Sequence, residues 1–204
     1  MIGTVAFVLG LVAIVGAAAG RPLAVVPLLI GLPFAVSFFR DPERVPPTGD
    51  RLVVSPADGK VIAIVPDERV SLLSGPVTRV SIFMSPLNAH VNRSPVTGRI
   101  GLVQHTPGKF RAAFADKASL DNERNAIVVE SGARRYLMIQ IAGALARRIV
   151  CHVTPGEEVG RGERVGLIMF GSRVDLYLPP DVRPLVTLGD RVYAGSSPVA
   201  EVPA

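Results

Sequence analysis

The chain has 204 residues, 49% of them hydrophobic and 5% aromatic, with 22 Lys+Arg against 17 Asp+Glu and a formal net charge of +5. The basic excess is modest and no Arg/Lys–aromatic interleaving accompanies it, which argues against nucleic acid as a partner and suits an anionic membrane surface better. One cysteine, Cys151, makes neither an internal disulfide nor a zinc cluster; it reads as a small buried hydrophobe in a reducing cytoplasm.

From residue 2 to residue 39 the only charge is Arg21. Two apolar runs, 2–20 and 22–39, flank it, each close to the roughly 20 residues a spanning helix needs. They predict a membrane-embedded segment, as two spans or as a shallow re-entrant hairpin turning at Gly20-Arg21-Pro22. Pro22, Pro27 and Pro33 weaken the second run as a helix, although a bilayer helix tolerates them. Phe38-Phe39-Arg40 has the form of an interfacial end, and Arg40 and Arg44 favour the cytoplasmic side for the body of the protein. A secretory signal needs a basic leading region, and residues 1–20 contain no Lys or Arg. The expected organisation is therefore an embedded segment, 1–39, and one catalytic domain, 40–204, of ordinary domain length.

After residue 40 the chain reads as β-rich. Short β-branched or alternating runs at 53–54, 60–65, 78–84, 126–130, 136–142, 148–153, 164–170 and 174–178 predict strands, with Gly, Pro, Asp and Asn between them. One short helix is expected at 112–120. The segments 55–63 and 156–168 share a Gly-punctuated style, like the flat hairpins of biotinyl/lipoyl-type barrel-sandwich folds, a reading made by analogy. The expected class is mainly β (α+β): a lipoyl-like β domain behind an N-terminal apolar helical hairpin.

Ser172, in Phe170-Gly171-Ser172-Arg173, is the residue with the most distinctive chemical potential. Most Gly-Ser pairs are turn residues. At the end of a Gly-rich strand, however, a serine hydroxyl can attack the preceding carbonyl, turn the amide into an ester and eliminate to dehydroalanine. Hydrolysis then leaves a pyruvoyl group, an electrophile that no unmodified side chain offers. Asp58, in Ser55-Pro-Ala-Asp-Gly59, is either a turn residue or a carboxylate that orients an imidazole. His90 lies in a polar, proline-flanked stretch, 84–98, suited to a functional loop. His105 and His152 read as structural or surface residues. Lys109 and Arg111 sit in a Gly/Pro loop, as solvated charges or as phosphate ligands. Asn122-Glu-Arg-Asn125 lines a site or is simply a loop. No metal cluster, phosphate loop or dinucleotide fingerprint is present. An Asp, a His and a Ser in separate loops fit the logic of nucleophile activation.

At these residues the chain resembles the phosphatidylserine decarboxylase proenzymes, in their short form. The match runs through most of the chain after residue 38: Phe38-Phe39-Arg40-Asp41-Pro42, Ser55-Pro-Ala-Asp-Gly59, Ser85-Pro-Leu-Asn-Ala-His-Val-Asn-Arg-Ser-Pro95, Gly108-Lys-Phe110, Asn122-Glu-Arg-Asn125, and Gly160-Arg-Gly-Glu-Arg-Val-Gly166 leading to Phe170-Gly-Ser172. The resemblance implies self-cleavage between Gly171 and Ser172, giving a large β chain, 1–171, and a small α chain, 172–204, headed by a pyruvoyl group made from Ser172. It implies that Asp58 orients His90, that His90 activates Ser172, and that the product enzyme releases CO2 from phosphatidylserine in the cell membrane to leave phosphatidylethanolamine. Lys109, Arg93 and Arg111 are candidates to hold the lipid phosphate. Two departures stand out. Relatives often carry Thr or Ser after the cleavage serine, where this chain has Arg173. Some carry a second His three residues after the His90 position, where this chain has Arg93, so His90 serves both self-cleavage and decarboxylation or another donor shares the work. The open alternatives are the archaeal headgroup analogue archaetidylserine as substrate, a membrane-anchored lipoyl-like adaptor without activity, and a membrane serine hydrolase lacking the familiar Gly-x-Ser-x-Gly elbow. Further oligomerisation is open as well.

Overall fold

The computed structural model describes residues 2–20, 22–108, 122–143, 148–169 and 171–203. The helix expected at 112–120, Lys109 and Arg111 lie outside them. The chain divides into two compact units, Met1–Pro42 and Glu43–Ala204.

The first unit carries helix α1 (Ile2–Ala18), a 3-10 turn (Pro22–Val25) and helix α2 (Val26–Phe38). Pro27 falls in the first turn of α2, where a missing N–H costs nothing, and Pro33 lies inside it. At 1.5 Å per residue, α1 and α2 reach about 26 and 20 Å, short of a hydrocarbon core of about 30 Å. No helix among the described residues is long and apolar enough to cross a membrane. The prolines and Gly20-Arg21 cut 38 residues of apolar sequence into two helices of 17 and 13 residues. Both helices are apolar around their circumference, leaving Phe7, Leu23, Leu29 and Ile30 exposed.

The second unit is mainly β, as expected, and all its strand pairs are antiparallel. In chain order the strands are β1 (Leu52–Val54), β2 (Gly59–Glu68), β3 (Val77–Met84), β4 (Val91–Arg93), β5 (Gly98–Thr106), β6 (Arg124–Ser131), β7 (Arg134–Ile141), β8 (Ile149–Cys151), β9 (Glu158–Val159), β10 (Arg164–Ile168), β11 (Ser172–Leu178), β12 (Arg183–Pro184), β13 (Arg191–Val192) and β14 (Pro198–Glu201). Eight of them form one sheet in the order β13-β2-β3-β11-β7-β6-β5-β9, and two three-stranded sheets, β4-β10-β8 and β1-β14-β12, accompany it. The large sheet curls into a half-barrel.

The two Gly-punctuated segments do not make twin hairpins. Residues 55–58 lead into β2, whereas 156–168 divides between β9 of the large sheet and β10 of a small one. The long strand β5, absent from the sequence reading, carries Gly98 and Gly101 and slips register between Ile100 and Leu102. Its alternation is poor, and pairing with β6 and β9 decides its conformation rather than local propensity.

Strand β11 runs between β3 and β7 and is buried along its whole length. Val174, Leu176 and Leu178 point into the main core with Ile82, Val80, Met138 and Ile168. The opposite phase places Tyr177 in a second cluster with Val77, Ala126, Val128 and Leu137. A strand covered on both faces has no polar side, so Arg173 and Asp175 must satisfy each other. Their ion pair is 2.9 Å from Nε to Oδ1, with Nη2 donating to Oδ2 at 3.0 Å. Arg79 extends the chain of charge, 4.0 Å from Asp175 and 2.6 Å from Glu68.

Candidate active site

The large sheet brings the three sequence candidates to one end of its β2-β3-β11 strip. Lys60 and Arg173 both register with Phe83, and Ser172 registers with Met84. Asp58 immediately precedes β2, Met84 ends β3, and Ser172 begins β11. Gly59 is required here, because a Cβ would lie 2.2 Å from the Phe83 carbonyl oxygen. From Met84 the chain loops through residues 85–89 to His90. The His90 carbonyl accepts from the Ile168 amide at 3.2 Å, and residues 169–171 then lead to Ser172. His90 thus follows Met84, the register partner of Ser172, by one short loop, 85–89.

Ser172 is fully buried, and its Oγ donates to Met84 Sδ at 3.4 Å. A thioether is a weak acceptor, so the hydroxyl is held in place without a strong bond to break. Gly171 has φ of +59°, a left-handed conformation that glycine adopts without penalty. His90 is also buried, and its Nδ1 lies 2.8 Å from the Asn88 carbonyl oxygen. A carbonyl only accepts, so Nδ1 carries the hydrogen and the neutral ring has its lone pair on Nε2. The loop that delivers this carbonyl is closed by Asn88 itself, whose Oδ1 accepts from the Ser85 amide at 2.8 Å and its hydroxyl at 2.7 Å.

Asp58 has partners other than His90 for both of its carboxylate oxygens. Its Oδ1 accepts from the Ala194 amide at 2.7 Å and its Oδ2 from Arg44 Nη2 at 3.0 Å. Arg44 in turn lies over the Tyr193 ring, 5.2 Å from its centroid. The imidazole is set by a main-chain carbonyl, and the carboxylate ties residues 193–194 to the loop before β2. Arg93 is buried, donates from Nη1 to the Gly162 carbonyl at 2.9 Å and packs its Cδ against Gly195. His105 pairs with Glu123 at the surface, 3.2 Å apart, and His152 is exposed. Cys151 is half-buried beside the core.

The sequence reading missed a buried row of carboxamides. Asn125 Nδ2 donates to Gln140 Oε1 at 2.9 Å, and Gln140 Nε2 donates to Asn92 Oδ1 at 2.9 Å. Asn92 Nδ2 ends the row at the Met84 sulfur, 3.7 Å away. Gln140 shares the inward phase of Tyr136 and Met138 on β7, and a polar residue in a core phase is the signal that would have exposed it. A hollow of about 480 Å3 is lined by Asp50, Arg51, Thr97, Arg134, Tyr136 and Arg161 and touches none of the three candidates.

Comparison with known proteins places the chain in a family. A family model described as phosphatidylserine decarboxylase matches residues 32–200, a span that contains Asp58, His90 and Ser172. A phosphatidylserine decarboxylase proenzyme of Syntrophus aciditrophicus (strain SB) is 51% identical over 178 residues, covering 87% of this chain and 83% of its own. A second, from Ruegeria pomeroyi, is 50% identical over 169 residues, covering 81% and 77%. The mainly β domain with its buried serine is therefore that of a decarboxylase. More particularly, the chain belongs to the phosphatidylserine decarboxylase family.

Proposed function

We propose that this chain is a proenzyme that cuts itself between Gly171 and Ser172 and then decarboxylates phosphatidylserine to phosphatidylethanolamine at a membrane surface. The observation that carries the reading is the position of Ser172: buried, at the head of a central strand, directly after a left-handed glycine, its hydroxyl resting on a thioether. The Nε2 lone pair of His90 is the base that takes the Ser172 proton, and Ser172 Oγ attacks the Gly171 carbonyl carbon. The bond that breaks lies in the connection before β11, not within the ladder, so cutting it costs no strand pairing. Residues 172–204 stay attached because β11 pairs with β3 and β7, β13 with β2, and β14 with β1. The product is a heterodimer of 1–171 and 172–204.

A pyruvoyl group derived from Ser172 would supply an electrophilic carbonyl that condenses with the lipid amine and accepts electron density as CO2 departs. The surroundings fit such a group. The Ser172 position is dry, which favours loss of charge from a carboxylate, and Met84 beside it offers no nucleophile that would consume a ketone. His90 is the group we assign to return a proton to the decarboxylated carbon. The exposed apolar side chains of α1 and α2 suit contact with lipid, and Arg40 and Arg44 suit the anionic cytoplasmic leaflet. Lys109 and Arg111 are the cations we assign to the lipid phosphate.

Denaturing mass spectrometry tests the reading. Two chains divided after Gly171, the smaller lighter by one ammonia than a serine-headed peptide, are expected. An intact chain in freshly purified protein would overturn the proposal and favour an adaptor or hydrolase.

A further inference from the structure

The row of carboxamides has a direction. Its far end is fixed at Asn92, because the two groups facing Nδ2 are the Met84 sulfur at 3.7 Å and the Pro56 carbonyl oxygen at 3.5 Å. Neither can donate, so Asn92 must turn its NH2 toward them and its Oδ1 toward Gln140. Gln140 then presents Nε2 to Asn92 and Oε1 to Asn125 Nδ2, both at 2.9 Å. Every donor in the row points toward Met84, and Met84 Sδ is also where the Ser172 hydroxyl rests. The three carboxamides come from β6, β7 and β4, are at most 2% exposed, and form two full-strength bonds at the Asn125 end. At the Ser172 end the bonds are long and one acceptor is poor. A buried amide N–H held only by a thioether and a carbonyl at 3.5 Å is weakly satisfied, and it gains most from a stronger acceptor.

We propose that Asn125, Gln140 and Asn92 are positioning residues that keep an N–H donor, and not a carbonyl, turned toward the Met84 sulfur on which the Ser172 hydroxyl rests during self-cleavage. Negative charge develops on the attacked carbonyl oxygen as Ser172 Oγ closes on Gly171, and a preorganised donor favours that charge where a carbonyl dipole opposes it. The inference rests on the reading of Ser172 as the cleavage residue.

The direction of the row makes it testable at a distance. In Asn125→Asp the carboxylate can only accept, so Gln140 must turn its Nε2 toward Asp and its Oε1 toward Asn92. Asn92 then turns to donate to Gln140, which leaves Asn92 Oδ1 facing Met84. The substitution keeps the volume and reverses the row. We expect self-cleavage of newly synthesised full-length N125D, measured by mass spectrometry, to slow roughly tenfold or more. A merely structural role would not produce the accompanying pH profile. Protonation of the introduced Asp restores a donor, so N125D should cleave faster as pH falls from about 7.5 to about 5.5, a window raised by burial. The wild-type row holds no carboxylate, so its rate should show no such rise. The charged groups near position 125 are His105, opposite it in β5, Glu123, and the adjoining Arg124, and all three are common to both proteins. If N125D does not fold, Gln140→Glu reverses the last link alone and must slow cleavage likewise. Unchanged cleavage in the folded variant, or a slowed rate whose pH profile runs parallel to wild type, overturns the inference. A wild-type chain that stays intact overturns the cleavage reading itself, so the two failures are distinct.

Discussion

Asp175→Asn probes the buried charge in β11. The Arg173 and Asp175 side chains are 2% and 0% exposed and meet at 2.9 and 3.0 Å. Asn has the volume of Asp, so the substitution opens no cavity and removes only a negative charge that faces Arg173 and, at 4.0 Å, Arg79. At about 4 Å and an effective dielectric constant near 20, one such interaction is about 4 kcal/mol. Deleting one partner of a buried pair typically costs about 3–5 kcal/mol. The Arg79 share is small, because Glu68 at 2.6 Å and Ser81 at 2.6 Å still hold it. We therefore expect a loss of about 3–5 kcal/mol, or a fall in Tm of about 10 °C for a domain of this size. The measurement is thermal and urea unfolding in a Ser172→Ala background, so that maturation does not alter the chain being melted. Replacing both partners, Arg173→Met with Asp175→Leu, should recover most of the loss by removing the desolvation cost of two charges. A loss below about 1 kcal/mol in D175N would refute the reasoning, since it would mean that water or rearrangement screens the pair.

Tyr177 and Asp58 give two further outcomes, each tied to particular contacts. Burial first, and then the neighbouring Asp175 and Glu68 carboxylates, push the Tyr177 phenol above its ordinary range. The folded state therefore holds its proton to higher pH than the unfolded chain does. Its contribution is complete below about pH 10 and is lost as pH rises beyond it, by up to about 1.4 kcal/mol per pH unit. Tyr177→Phe should flatten that alkaline slope in urea titrations between pH 9 and 11, and identical slopes would count against the assignment. Asp58→Ala removes the acceptor of the Ala194 amide and the partner of Arg44, at a cost of about 1–3 kcal/mol. It should lower Tm and ease release of the 172–204 fragment while leaving the pH profile of cleavage unchanged. A shifted profile with unaltered stability would return Asp58 to the role of orienting His90.

Much of this protein is determined locally. The β-branched runs that form β2, β3, β6, β7 and β10 carry their own alternation, and the apolar stretch before residue 40 carries its own prolines, which set where its helices break. Gly171-Ser172 and His90 are legible because their chemistry and loop context are local. Other features exist only after distant segments meet. Strand β5 has weak alternation and takes its form from β6 and β9. Coverage of β11 on both faces turns Arg173 and Asp175 into a buried ion pair, which the local sequence does not reveal. Asp58 has a chemically suitable partner in His90, yet folding delivers Arg44 and the Ala194 amide to it instead. The carboxamide row draws on β4, β6 and β7, segments up to 48 residues apart at the Gln140–Asn92 bond. Propensity acts over a few residues, whereas hydrogen-bond partners and desolvation depend on which strands pair, so the sequence determined the candidate serine and only the tertiary structure decided what surrounds it.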